Sequence, residues 1–182
     1  ADMICVGIRG TGQSSNDCVY VEKTWDNILR KNPGLTSDEA ETSFVMWCMW
    51  SSPILLGFDM TKDMTSTDLA HDLALVKNEE LIAINQDPLG QGAEYIKSAN
   101  DIDYYQKDLA NGDVAIAAVN LSDNQVSATI SMADYDALDQ SASYSARDLI
   151  GLKDAGTLSA SSSLTATIAK HGTFVVRLTK NN

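Results

Sequence analysis

Two runs, Ser51-Ser-Pro-Ile-Leu-Leu-Gly-Phe-Asp-Met60 and Leu81-Ile-Ala-Ile-Asn-Gln-Asp-Pro-Leu-Gly90, bracket the stretch whose reading decides the fold. Ile54–Phe58 is continuously apolar, which predicts a parallel strand covered on both faces, because an antiparallel strand with one wet face would alternate. Ser66 or Thr67 is placed to cap a following helix in which Leu69, Leu73 and Val76 face inward and His71, Asp72 and Lys77 face out. A second short helix, from about Asn78 to Gln86, buries Leu81, Ile82 and Ile84. Asp87-Pro88 ends it, since the residue before a proline is pushed out of the helical region.

Upstream of this stretch, strand and helix alternate. Met3–Val6 predicts a short strand that runs into Gly7-Ile-Arg-Gly-Thr-Gly-Gln-Ser-Ser15, a loop too rich in glycine and serine to continue it. Val19–Asn32 is ambiguous between strand and helix and reads as an ordered insertion. Thr36-Ser-Asp-Glu39 offers a capping box, with a hydroxyl at the cap and a carboxylate three residues on. From Phe44 to Trp50 every residue is apolar, the pattern of a helix buried all round, and Pro53 stops it.

Downstream of Gly90 the period falls to two. Val126, Ala128 and Ile130 alternate with Ser127, Thr129 and Ser131, and Leu164, Ala166 and Ile168 alternate with Thr165 and Thr167. Val114–Val119 is apolar on both faces and is placed centrally, and Asn111-Gly112 marks a hairpin. About eight short strands follow, near Glu94–Ser98, Ile102–Leu109, Asp113–Leu121, Gln125–Met132, Ala142–Asp148, Thr157–Ser159, Ser163–Ala169 and Gly172–Thr179, the spacing of an antiparallel sandwich. The fold class is therefore α/β followed by all-β, with one unit over residues 1–90 and an antiparallel, Greek-key-type β-sandwich over residues 91–182.

Composition narrows the partners. Of the 182 residues, 44% are hydrophobic and 21% charged, ordinary for a globular chain, and the net charge is −12 with 13 basic against 25 acidic residues. Phosphate-bearing partners need clustered Lys and Arg, so neither nucleic acid nor an anionic membrane is favoured. No apolar run approaches the roughly 20 residues of a membrane span, and a soluble protein of open compartment, cytoplasmic or secreted, is expected. Ala1 opens the sequence without a methionine or a leader, which suggests a piece of something longer. Cys5, Cys18 and Cys48 form no CxxC; one bridge, Cys5 to Cys18, is compatible with them, as are three buried thiols.

Several motifs were weighed for chemistry. Gly7-x-x-x-x-Gly12-Gln13-Ser14 imitates a phosphate-cradling loop but has Gln13 where the lysine belongs, with Asp17 adding negative charge. A metal site is not expected: the only histidines, His71 and His171, lie in different halves and read as structural or surface groups. No GxSxG elbow is present. Asn120-Leu-Ser122 is a formal glycosylation sequon. Asp2 and Asp59 each sit at the end of an apolar strand where a carboxylate can face a pocket, with loop or helix capping as the plainer role of Asp59.

Taken together, these runs resemble glycoside hydrolase family 27, the α-galactosidases. Asp2-Met3-Ile4 matches the end of the family's Asn-Asp-Pro-Asp-Met-Leu motif, with Ala1 in place of its proline. Gly34-Leu-Thr-Ser-Asp-Glu39, Phe44-Val-Met-Trp47 and Ser52-Pro-Ile-Leu-Leu-Gly-Phe-Asp59 follow in the family's order, and Ile82-Ala-Ile-Asn-Gln-Asp-Pro-Leu-Gly90 is its most distinctive run. Ala146-Arg-Asp-Leu149 and His171-Gly-Thr-Phe-Val-Val-Arg-Leu178 resemble its late strands. The resemblance implies the final β/α units of a (β/α)8 barrel followed by the β-sandwich, and retaining hydrolysis of terminal α-galactosides by a nucleophile and an acid/base. Both lie upstream of the Asp-Met motif in the family, so no catalytic residue is expected in this chain, which alone should be inactive.

What the resemblance carries over is Asp2, whose carboxylate accepts sugar hydroxyls, and Met3, which packs on the sugar ring. It implies no cofactor and no metal. Its partners would be an α-galactoside sugar or oligosaccharide and the missing N-terminal barrel portion or another chain, with a homo-oligomer as a further way to cover the strand at Ile54–Phe58. Ser14–Lys31 is an insertion relative to the family, suited equally to aglycone selection and to surface decoration. The alternative is a non-catalytic carbohydrate-binding or structural β-sandwich, whose aromatic candidates are Tyr95, Tyr104, Tyr105, Tyr135, Tyr144 and Phe174.

Overall fold

The computed structural model describes Ile4, Cys5, residues 35–57 and residues 67–181. Asp2, Met3, the Gly7–Ser14 loop, the Ser14–Lys31 insertion, the Val19–Asn32 segment, Cys18 and Asp59 lie outside the described residues, and with them the Cys5–Cys18 pairing.

The described chain runs β1 (Ile4–Cys5), α1 (Ser37–Met49), β2 (Leu56–Gly57), α2 (Thr67–Val76) and α3 (Glu79–Asn85), then eight strands: β3 (Glu94–Ala99), β4 (Ile102–Asp108), β5 (Val114–Asn120), β6 (Val126–Ser131), β7 (Ser143–Asp148), β8 (Lys153–Ser159), β9 (Ser163–Ile168) and β10 (Thr173–Lys180). All eight strands expected after Gly90 are present. Helix α1 starts where its sequence says it should: Thr36 Oγ1 accepts from the Glu39 amide at 3.2 Å, and Glu39 Oε2 accepts from the Thr36 amide at 2.8 Å. Two of the orphan amides at the helix start are satisfied in this way. Asn78 caps α3 by accepting from the Glu80 and Leu81 amides.

β1 and β2 pair in parallel, Ile4 opposite Leu56 and Cys5 opposite Gly57, with α1 between them in sequence, as a strand–helix–strand crossover requires. The covering expected for this strand is not there. Leu55 is 51% and Leu56 45% exposed. The apolar pattern reports what the run is built to bury, and among the described residues only Ile54 finds cover, half-buried against the helix–sheet cluster. Two further expectations need correction. Trp50 ends α1 exposed, although Phe44, Val45, Met46, Cys48 and Met49 are buried. On α2 the inward face carries Leu75 and Asp72, at 8% and 2% exposure, while Leu73 and Val76 are only half-buried. Asp72 sits one helical turn before Leu75 and therefore shares its face; its carboxylate meets His71 Nδ1 at 3.0 Å.

The strands after Gly90 form a six-stranded antiparallel sheet in the order β3-β4-β5-β10-β7-β8 and a two-stranded antiparallel sheet, β6-β9. The β4–β5 hairpin turns through Ala110-Asn111-Gly112, with Gly112 at φ 85° and its amide donating to the Leu109 carbonyl, a three-residue loop in which glycine takes the left-handed position. Every residue of β5 is buried. Val114, Ile116 and Ala118 pack with Ala128, Ile130, Leu164 and Ile168 of the small sheet, whereas Ala115, Ala117 and Val119 pack with Phe44, Val45, Leu81 and Ile84 of the helices. The large sheet is thus the middle of three layers. Its two edge strands, β3 and β8, pair through irregular registers, a device that blunts edge-to-edge association.

Candidate functional site

Because the substrate-pocket candidates Asp2 and Met3 fall outside the described residues, the polar chemistry in view lies at the seam between the helices and the sheet. The seam is built from helix ends. α1 and α3 both finish against β4, where Lys107 is only 2% exposed. Its Nζ donates to the Ile84 carbonyl at 2.6 Å, to Ser51 Oγ at 2.6 Å and to the Cys48 carbonyl at 3.2 Å. All three ammonium donors are used, two of them on carbonyls in the last turns of helices, where the helix dipole favours a cation. Burial holds the Lys107 ammonium below the usual lysine range, with the Asp87 carboxylate acting the other way.

The Asn85-Gln-Asp-Pro88 run supplies the rest of this joint. Asn85 Nδ2 donates to the Trp47 and Ser52 carbonyls at 3.2 and 2.9 Å, tying the end of α1 to the end of α3. Asp87 accepts from the Leu89 amide and, through both oxygens, from the Ala110 amide in the β4–β5 turn. These residues hold the sheet to the helices. The linker then passes tightly under α1: the Ala93 amide donates to the Met49 carbonyl at 2.8 Å, and a Cβ on Gly92 would lie 3.4 Å from the Trp50 carbonyl oxygen.

Further along the seam, Asn78 Nδ2 donates to the Leu149 carbonyl at 2.7 Å, and Arg147 grips Glu80 through two nitrogens. His171, in the β9–β10 turn, places Nδ1 at 2.7 Å from Glu39 Oε1 and Nε2 at 3.6 Å from Asp123 Oδ1, while its carbonyl accepts from Thr42. The Thr36 amide first, and then His171, hold the Glu39 carboxyl below the usual range. The histidine is structural, as its sequence context suggested.

A groove of about 510 Å³ opens between α1, α2 and the β7–β8 turn, lined among others by Glu41, His71, Lys77, Glu80, Ile150 and Leu152. Burial pushes the Glu41 carboxyl up to about 7; His71, 3.9 Å away, opposes this, and Asp38 and Asp148 add to it. Glu41 can therefore exchange a proton near neutrality. Among the described residues, no three His, Cys, Asp or Glu side chains converge as a metal site would require. No described helix is long and apolar enough to cross a membrane.

The aromatic candidates divide sharply. Tyr104, Tyr135 and Tyr144 are buried, Tyr105 and Phe174 are half-buried, and Tyr95 is exposed. Sequence reasoning missed Trp50, which stacks edge-on with Tyr105 at a centroid separation of 6.1 Å. The sequon is also spoken for. Asn120 is 1% exposed, donates to the Asn124 and Ala169 carbonyls at 2.7 Å each, and accepts from the Ser122 amide and hydroxyl.

Comparisons with known proteins bear on the whole arrangement. Residues 99–178 match the family model described as the alpha galactosidase C-terminal beta sandwich domain. A probable alpha-galactosidase A of Aspergillus niger is 31% identical over 156 residues, which are 84% of this chain and 27% of that protein. The alpha-galactosidase of Cyamopsis tetragonoloba is 34% identical over 118 residues, covering 65% of this chain and 27% of its own length. The crystal structure of alpha-galactosidase I from Mortierella vinacea superposes with a TM-score of 0.70 at 25% identity, covering 82% of this chain and 37% of that one. The chain therefore spans about a quarter of the length of the curated relatives it matches.

Proposed function

The chain belongs with the glycoside hydrolase family 27 α-galactosidases, whose C-terminal β-sandwich it carries, and from that premise we propose that it forms the C-terminal part of a retaining α-galactosidase acting on terminal α-galactosides. Residues 1–90 supply the closing β/α units of a (β/α)8 barrel, and residues 91–182 supply the sandwich that buttresses them. The observation that carries this reading is the joint itself. Helix α1, which connects the parallel β1–β2 pair, and helix α3 are seated on the sheet through Lys107, Asn85 and Asp87, in a chain whose relatives are α-galactosidases over 84% of its length.

On this reading Asp2 and Met3 line the sugar pocket at the barrel mouth, where the ends of barrel strands carry function. Asp2 accepts sugar hydroxyls and Met3 packs on the apolar face of the ring. The nucleophile and the acid/base, which a retaining mechanism holds about 5 Å apart across the glycosidic bond, come from upstream barrel strands, and the 182 residues alone do not hydrolyse glycosides. The exposed Leu55 and Leu56 support the same reading: a large apolar side chain left in water forfeits on the order of 1.5–3 kcal/mol, so the strand is built to be covered by further barrel units.

The residue assignment is tested by placing these 182 residues behind the N-terminal barrel portion of the Aspergillus niger relative and assaying Asp2→Ala in that protein. Loss of α-galactoside hydrolysis by at least about a hundredfold supports the pocket role. Unchanged kcat and KM in Asp2→Ala would remove it.

A further inference from the structure

Two aromatic side chains, Trp50 at 47% and Tyr95 at 55% exposure, are the exposed aromatic residues among those described, and both flank Tyr105. Trp50 caps α1, Tyr95 lies on the edge strand β3, and Tyr105 lies opposite Tyr95 on β4. Ring centroids are 6.1 Å apart for Trp50–Tyr105 and 5.8 Å for Tyr95–Tyr105, both edge-to-face. Three rings from two different layers thus converge on one surface. Aromatic rings left half in water at one place mark a binding surface more often than decoration.

The rings are also held. The Trp50 amide bonds back to the Met46 and Cys48 carbonyls, the linker runs tightly beneath its carbonyl at Gly92, and the neighbouring Ser51 is anchored by Lys107. Asp103 lies two residues from Tyr105 and so on the same face of β4, and after burial its charge helps push the Tyr105 phenol up. A carboxylate thus sits beside the rings.

The charges decide the class of ligand. The basic residues of β3 and β4 are Lys97 and Lys107. Lys107 is buried with its three donors used. Lys97 serves the opposite face, with Nζ 5.0 Å from the Tyr104 ring centroid and 2.7 Å from Asp134 Oδ2. No cation of these strands faces the aromatic surface, which disfavours a phosphate or sulfate ligand. Rings plus a carboxylate suit a neutral, polyhydroxylated molecule with apolar C–H faces.

We propose that Trp50, Tyr105 and Tyr95 form a binding surface for a neutral saccharide, the rings packing on sugar C–H faces and Asp103 accepting a sugar hydroxyl. The surface needs Trp50 from the helical half, so it belongs to the assembled chain and not to an isolated sandwich. It goes beyond the α-galactosidase reading and borrows from it only the choice of probe.

The test titrates the 182-residue chain with raffinose by calorimetry, beside Trp50→Ala, Tyr95→Ala, Trp50→Phe, Tyr95→Phe and Asp2→Ala, each checked for an unchanged fold by circular dichroism. Saturable binding that falls about tenfold with each alanine at Trp50 and Tyr95 and is largely kept by each phenylalanine is the expected result. No binding by the wild type, or binding lost only in Asp2→Ala, overturns the proposal. So does sedimentation showing a dimer that Trp50→Ala dissolves, because a second copy then covers the rings. Failure of the α-galactosidase reading would appear instead as absent hydrolysis by the chain joined to the upstream portion of the Aspergillus niger relative, with this binding intact.

Discussion

Lys107 Nζ, on the second strand of the large sheet, lies 2.6 Å from the carbonyl oxygen of Ile84 in the last turn of α3. Among the described residues no carboxylate pairs with this ammonium directly, Asp87 acting on it from a distance. It is solvated by two helix ends and one serine hydroxyl, so the helix layer supplies the polar surroundings that let a charge be buried in the sheet.

Removing the charge should therefore loosen the two layers together. Lys107→Met keeps the aliphatic stem but strands the Ile84 carbonyl, and a loss of about 2–3 kcal/mol in denaturant unfolding is expected. A loss below about 0.5 kcal/mol would show that the buried ammonium contributes nothing net.

Glu41 gives the fold an acid-side bias. Its carboxyl is raised from 4.5 to about 7 in the folded chain, so the native state holds a proton that the unfolded state has released across that interval. Stability from this group is present below pH 4.5 and is lost as pH rises to about 7. In Glu41→Gln that loss should vanish, leaving the variant about 1–2 kcal/mol more stable than wild type at pH 8 once partial exposure is allowed for. Parallel stability–pH curves for the two proteins would contradict this.

Asn120 should carry no glycan in folded protein from a secreting eukaryotic host, because its amide is buried and bonded to carbonyls of the β6 and β9 ends. Intact-mass spectrometry of protein from such a host should show the unmodified mass, and Asn120→Ala should cost about 2–3 kcal/mol through the loss of its buried hydrogen bonds. A glycosylated, natively folded chain would refute the structural role.

His171 adopts a left-handed φ of 55° that glycine would take without strain. Its imidazole bridges Glu39 and Asp123. If that bridge outweighs the backbone strain, His171→Gly should lower stability by about 0.5–1.5 kcal/mol despite relieving the torsion. An equal or higher melting temperature for His171→Gly would show the opposite balance.

Local chemistry was readable from sequence and long-range cover was not. The Thr36/Glu39 box, the Asn111-Gly112 turn and the period-two strands each depend on residues a few positions apart, and each appears in the structure. The burial of Lys107 has no local signal, because the carbonyls that hold it come from residues 48 and 84. Asp72 was assigned to water because helical spacing names a face without saying what packs on it. Leu55 and Leu56 failed in the opposite direction: their apolarity announces a partner layer that the described chain does not provide. Trp50 escaped notice because it closes an apolar helix and meets its tyrosines only across the seam.

The central claim is that these residues complete an α-galactosidase whose chemistry lies in other barrel strands. The most direct measurement is hydrolysis of a chromogenic α-galactoside by the 182-residue chain alone and by the same residues joined to the barrel portion of the Aspergillus niger relative. The account predicts no turnover above background for the chain alone and clear turnover for the joined protein. Turnover by the isolated chain, or none by a joined protein that unfolds cooperatively, would contradict it.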